Sequence, residues 1–101
     1  MYHKIGHWDD FKNDSIITYF HDDREILIAK IHEEIFAVDN ICSHAEGQLC
    51  KGSLINDEIE CPMHGARFNL KTGDPTQGPA LLPIDTFNLQ ISTDGDILIE
   101  L

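Results

Sequence analysis

Cys42-Ser43-His44 and Cys61-Pro62-Met63-His64-Gly65-Ala66-Arg67-Phe68-Asn69 decide how this chain is read. Each stretch opens with a mixed Cys/His pair, C-x-H and then C-x-x-H, and sixteen residues (45 to 60) lie between the pairs. A mixed pair on each of two loops offers one thiolate and one imidazole per loop to a shared centre. Two Cys and two His also suit a structural zinc site, although zinc fingers usually pair Cys with Cys and His with His. A Cys42–Cys61 disulfide is the other alternative, and it needs an oxidising compartment.

A two-iron cluster with unlike irons calls for this mixed pattern, with both thiolates on one iron and both imidazoles on the other. Two His in place of two Cys on one iron of a [2Fe-2S] centre is the Rieske type. The second stretch, Cys61 to Asn69, resembles the second cluster loop of Rieske ferredoxins. Lys71-Thr72-Gly73 follows it, as it often does there, and Gln77-Gly78-Pro79-Ala80 is similar to the family's proline loop, which covers the cluster. The resemblance runs from about residue 35 to 85, and the flanks fit it as generic β sequence. It implies one Rieske-type [2Fe-2S] cluster per chain, held by Cys42, His44, Cys61 and His64. It implies Pro79 as a shield, Gly65 as a point of close backbone approach, and Leu49, Met63 and Leu81 as apolar cover.

High-potential members of the family join the two cluster loops by a disulfide. Here the corresponding positions are Gly47 and Met63, so that disulfide is absent. The third cysteine, Cys50, is expected as a buried or half-buried thiol. Those members also carry Ser two residues after the last His and Tyr two residues further on, both donating to sulfur. Ala66 and Phe68 stand there and have no hydroxyl. Rieske centres span roughly −150 to +300 mV, against about −400 mV for plant-type ferredoxins. With fewer donors and an acidic chain, the expected potential is at the low end, on the order of −150 mV.

The 101 residues make one domain with a single modest core. No stretch approaches the roughly 18 apolar residues of a membrane span, and the first ten residues have no apolar h-region. The expectation is therefore a cytoplasmic protein without a membrane association. Seven basic and 18 acidic residues give a net charge of −11, which disfavours nucleic acid and anionic membranes. It suits a basic docking face on a partner protein. The acidic residues are spread along the chain, so they locate no patch.

Strand signals are short and frequent. They fall at Ser15–Phe20, Glu25–Ile31, Glu34–Val38, Glu58–Glu60, Arg67–Leu70, Asp85–Ile91 and Asp96–Leu101. Turns are expected at Asp22-Asp23, His32-Glu33 and Asp94-Gly95. The period-two run Asp85–Ile91 places Phe87, Leu89 and Ile91 on one side. No segment has a helical stripe. The pattern predicts an all-β protein. The resemblance sharpens this to a Rieske-type antiparallel β-sandwich, with a small cluster-binding subdomain of about residues 40–72 formed by two hairpin loops. His3, His7, His21 and His32 have no ligand partner at suitable spacing and are expected at the surface, and Trp8 and Tyr19 as core or edge aromatics.

The function implied is a monomeric one-electron carrier, similar to the ferredoxin components of bacterial ring-hydroxylating dioxygenases. Its partners would be a NAD(P)H-dependent flavoprotein reductase and a terminal Rieske non-haem iron oxygenase. The chain is too short for a flavin or mononuclear-iron domain, so no substrate chemistry of its own is expected. A small Rieske-like subunit of another redox enzyme, such as nitrite reductase, and a structural zinc module are the alternatives.

Overall fold

The computed structural model describes residues 1–42, 47–62, 65–78 and 82–101. Eleven strands appear among them: β1 Tyr2–His7, β2 Ser15–His21, β3 Arg24–Ile31, β4 Glu34–Asp39, β5 Ser53–Ile55, β6 Glu58–Glu60, β7 Arg67–Asn69, β8 Pro75–Gln77, β9 Thr86–Phe87, β10 Leu89–Ile91 and β11 Asp96–Glu100. Two single 3-10 turns, Trp8–Asp10 and Leu49–Lys51, are the only helical elements among the described residues. The strands form three antiparallel sheets, ordered β1-β11-β10, β2-β3-β4-β9 and β5-β6-β7-β8.

The second sheet lies between the other two, because β3 is buried on both faces. Ile26 and Ile28 pack with Ala37, Phe11, Ile97 and Ile99 toward the first sheet. Leu27, Ala29 and Ile31 point the other way, with Val38 of β4, and join Ile59 and Phe68 of the small third sheet and Leu70 just after it. A strand covered on both sides reads as a continuous apolar run rather than an alternation, which is why Glu25–Ile31 looks as it does. Each fully buried Leu or Ile here contributes about 1.5–3 kcal/mol of transfer free energy.

Lys30 closes the edge of the first core. It is 7% exposed; its Nζ donates to the Phe11 carbonyl at 3.0 Å and lies 4.0 Å from the centre of the Trp8 ring. The buried charge thus has a carbonyl and a π face as partners. Trp8 is packed against that core, as its aromatic character suggested.

The β3–β4 turn is tighter than its sequence advertises. Ile31 pairs with Glu34, so the loop has two residues, and both have positive φ (His32 51°, Glu33 62°). That is a type I′ geometry, which usually takes Asn-Gly. Asn13 compensates from the preceding segment: its Nδ2 donates to Glu33 Oε1 at 2.8 Å and its Oδ1 accepts the Glu33 N–H at 3.2 Å.

One expectation needs correction. The run Asp85–Ile91 is two strands in two sheets: Phe87 pairs with Ala37 and Leu89 with Ile99. The chain crosses at Asn88, whose carbonyl accepts the Glu100 N–H. Phe87 and Leu89 reach the core, but Ile91 is 51% exposed. The turn expected at Asp94-Gly95 is present and joins β10 to β11: Gly95 N–H donates to Ser92 O, Ser92 N–H donates to Asp96 O, and Gly95 takes positive φ, at 92°. His7 is also more than a surface residue. Its Nδ1 accepts the Asp9 N–H and its Nε2 bonds the Asp94 carbonyl at 2.7 Å, joining the end of β1 to that turn.

Candidate metal-cluster site

Both cysteines of the motif sit at the feet of loops rooted in one core. Cys42 is 2% and Cys61 1% exposed, and both belong to the hydrophobic cluster of Leu27, Val38, Leu49, Ile59, Phe68 and Leu70. Cys42 follows β4, and Cys61 follows β6 directly. No disulfide joins them in this structure.

The first foot is a short antiparallel stem. Ile41 forms a β-bridge with Gln48, and the Cys42 N–H donates to Gly47 O at 2.8 Å. Its base is Asn40, fully buried, with all four polar groups engaged. The backbone N–H donates to Glu25 O and the carbonyl accepts the Leu49 N–H. The side-chain Oδ1 accepts the Cys50 N–H at 2.8 Å, and Nδ2 donates to Glu25 Oε1 at 3.2 Å. Cys50 is half-buried against the same core as the two site cysteines, in keeping with its reading as a thiol outside the ligand set.

The second foot grows from the β6–β7 hairpin. Glu60 pairs with Arg67, and their side chains form an ion pair at 2.9 Å. Above it the Cys61 N–H donates to Ala66 O at 2.7 Å and the Gly65 N–H to Cys61 O at 3.2 Å. Gln77, at the end of β8, donates from Nε2 to Gly65 O at 2.9 Å and so ties the third sheet's edge strand to this loop. Gly65 has φ +75°, and a Cβ there would meet nothing nearer than Gln77 Nε2, at 3.9 Å among the described residues. Glycine is needed for the left-handed backbone.

Lys71-Thr72-Gly73 also has a physical reason. Asn69 Oδ1 accepts the N–H groups of Lys71 and Thr72, and the Gly73 N–H donates to Asn69 O. Gly73 has φ +79°, and a Cβ on it would lie 2.2 Å from the Ile84 carbonyl oxygen. The Ile84 N–H in turn donates to Gly73 O, pinning the segment that follows residue 81. Gly73→Ala should therefore destabilise the fold by at least about 2 kcal/mol. The check is a thermal melt, in which the midpoint falls by roughly 10 °C.

His44, His64, Met63, Pro79 and Leu81 lie outside the described residues. Leu49, offered as apolar cover, is fully buried beside both cysteines. Ala66 and Phe68 are fully buried in the same cluster, so neither brings a donor to it. Asn40, Glu25 and Gln48 were not legible as site residues: Glu25 meets them across 15 and 23 positions of sequence.

Two buried thiols, each at the foot of a loop closed by its own backbone hydrogen bonds, are candidate ligands for a metal centre. The chemistry of this donor set fits an iron–sulfur cluster, since soft thiolates suit such clusters. The chain belongs to the Rieske [2Fe-2S] domain family, whose model matches residues 1–88, and it carries one Rieske-type cluster. Among its relatives is the ferredoxin component of biphenyl 2,3-dioxygenase of Rhodococcus jostii, 38% identical over 75% of this chain and 70% of that protein. The anthranilate 1,2-dioxygenase ferredoxin subunit of Burkholderia cepacia is 28% identical over 95% of this chain and 88% of that protein. Among solved structures, the ferredoxin of carbazole 1,9a-dioxygenase from Nocardioides aromaticivorans superposes with a TM-score of 0.91 at 30% identity, covering 98% of this chain and 96% of that one. A nitrite reductase small subunit from Mycobacterium tuberculosis shares the fold, with a TM-score of 0.86 at 13% identity, covering 98% of this chain and 93% of that one.

Proposed function

We propose that this protein is a one-electron carrier that takes electrons from a NAD(P)H-dependent flavoprotein reductase and passes them to a terminal Rieske non-haem iron oxygenase. In this reading Cys42 and Cys61 hold one iron, and His44 and His64 hold the other. The observation that carries it is the pair of buried thiols, Cys42 and Cys61, each opening a C-x-H or C-x-x-H loop from one shared core. Relatives named as ferredoxin components of dioxygenase systems support it. So does a solved complex of oxygenase and ferredoxin in carbazole 1,9a-dioxygenase, matched with a TM-score of 0.91 at 25% identity.

When bound, the cluster accepts and returns one electron, and two neutral imidazoles in place of two thiolates make that electron easier to add. The protein's part is to hold the thiolates out of water and to set the potential. Leu49, Ala66 and Phe68 exclude water on the core side. The imidazoles of His44 and His64 would hold the other iron and offer the electron its way in and out. The cluster-binding unit is residues 40–72 in this reading, the protein works as a monomer in the cytoplasm, and its −11 charge favours basic docking faces.

A redox titration followed by visible absorption tests the reading. The expected midpoint is at the low end of the Rieske range, on the order of −150 mV. A value near +300 mV would rule out a carrier fed by a flavoprotein and feeding an oxygenase. The same titration on Ala66→Ser should move the midpoint upward, because a hydroxyl beside the cysteines can donate to sulfur. A bond worth about 1 kcal/mol more to the reduced state raises the potential by about 40 mV.

A further inference from the structure

Glu25, near the start of β3, faces the first foot with both its backbone and its side chain. Its carbonyl oxygen accepts the Asn40 N–H at 3.0 Å. Its Oε1 accepts the side-chain amides of Asn40, at 3.2 Å, and of Gln48, at 2.9 Å. Asn40 and Gln48 stand on opposite sides of the stem whose bridge is Ile41–Gln48 and whose next bond is Cys42 N–H to Gly47 O. One carboxylate oxygen therefore clips together the entry and the exit of the loop that contains Cys42 and His44.

The clip is held rigidly from behind. Asn40 is fully buried and its other side-chain atom is committed to the Cys50 N–H, so its amide has one orientation in which both bonds are made. Glu25 itself is fixed between β2 and β4 by its strand. Among the described residues, the stem that these two side-chain bonds reinforce has one β-bridge of its own.

We propose that Glu25 is a positioning residue for the iron–sulfur centre: by holding Asn40 and Gln48 on one oxygen, it sets the separation of the loop's two ends and so the geometry in which Cys42 meets the metal. The inference rests on the ligand assignment above. Outer groups that orient metal ligands typically cost 10–100-fold in metal affinity when removed.

The test compares holoprotein variants Glu25→Ala, Glu25→Gln and Gln48→Ala with the wild type. Loss of visible absorbance in the presence of a chelator gives the cluster release rate, and EPR of the reduced protein gives the ligand geometry. Glu25→Ala should release the cluster about tenfold faster and broaden the EPR lines. Gln48→Ala should move both in the same direction. Glu25→Gln keeps an oxygen that accepts both amides and should stay close to wild type in both readouts. Glu25→Ala with the wild-type rate and spectrum overturns the proposal. Glu25→Gln releasing the cluster as fast as Glu25→Ala also overturns it, since charge rather than the clip would then matter. If Glu25→Ala fails to fold, Gln48→Ala decides by the same two readouts. Failure of the ligand assignment shows separately, as retention of the cluster by Cys42→Ser, and the proposal falls with it.

Discussion

Cys61→Ser, expressed with adequate iron and sulfide, should give a colourless protein whose iron content falls from two per chain to near zero, and Cys42→Ser should do the same. Serine is close in size to cysteine, so the packing around Ile59, Phe68 and Leu70 survives. What is lost is the soft, easily deprotonated sulfur that iron in such clusters requires. Far-UV circular dichroism should remain that of a strand-rich protein, which separates ligand loss from unfolding. Cys50→Ser is the internal control. Cys50 packs on the same core, but it lies beyond the first stem, with its N–H on Asn40. That variant should keep both colour and iron. A red-brown Cys61→Ser protein, or a colourless Cys50→Ser one, would contradict the assignment of thiols to iron.

Phe68→Ala carries the second largest expected effect, a loss of about 3–5 kcal/mol of stability. Phe68 is among the largest fully buried side chains. It sits in the middle of β7, opposite Ile59 of β6 and Pro75 of β8. Its ring fills the space between the central and the small sheet, in the cluster that also contains both cysteines. The third sheet has strands of three residues each, and Phe68, with Ile59 and Leu70, packs it against β3. Against the 5–15 kcal/mol that a domain of this size has in total, such a loss unfolds a large share of the molecules. Urea denaturation gives the number directly. The cluster should also bleach at lower denaturant than in wild type, because the feet of both loops are rooted in this core. A stability change below about 1 kcal/mol would mean that the small sheet is not held by this ring.

Much of the fold can be read along the chain, and the parts that cannot have local causes. The β3–β4 pair is legible because β3 is buried on both faces and its run of Ile, Leu and Ala is unbroken. Glu58–Glu60 and Arg67–Asn69 are legible because they flank the second motif. Strand β1 gives little signal: it is an edge strand, largely half-exposed, and its register with β11 shifts between Lys4 and Gly6. Strand β8 begins with Pro75, which sequence reasoning takes as a break, although proline is tolerated on an edge. Ser53–Ile55 is too short to show a period. At Asn88 the alternation continues across a change of sheet, because a period of two does not say which partner each strand takes.

The site divides in the same way. Cys42 and Cys61 are singled out as candidate ligands by residue type and spacing, and their burial in a single core follows from the fold. The requirement for glycine at 73 is visible only once Ile84 is placed against it. Glu25, Asn40 and Gln48 form their network across β3, β4 and the first loop, so no local pattern announces them.

Low-temperature EPR of the dithionite-reduced protein, with iron and sulfide counted on the same sample, tests the central claim most directly. The account predicts two irons and two sulfides per chain, with a rhombic signal whose average g lies below that of an all-cysteine cluster, the mark of two histidines on one iron. A signal of the all-cysteine kind, or a colourless protein holding zinc after reconstitution, would contradict it.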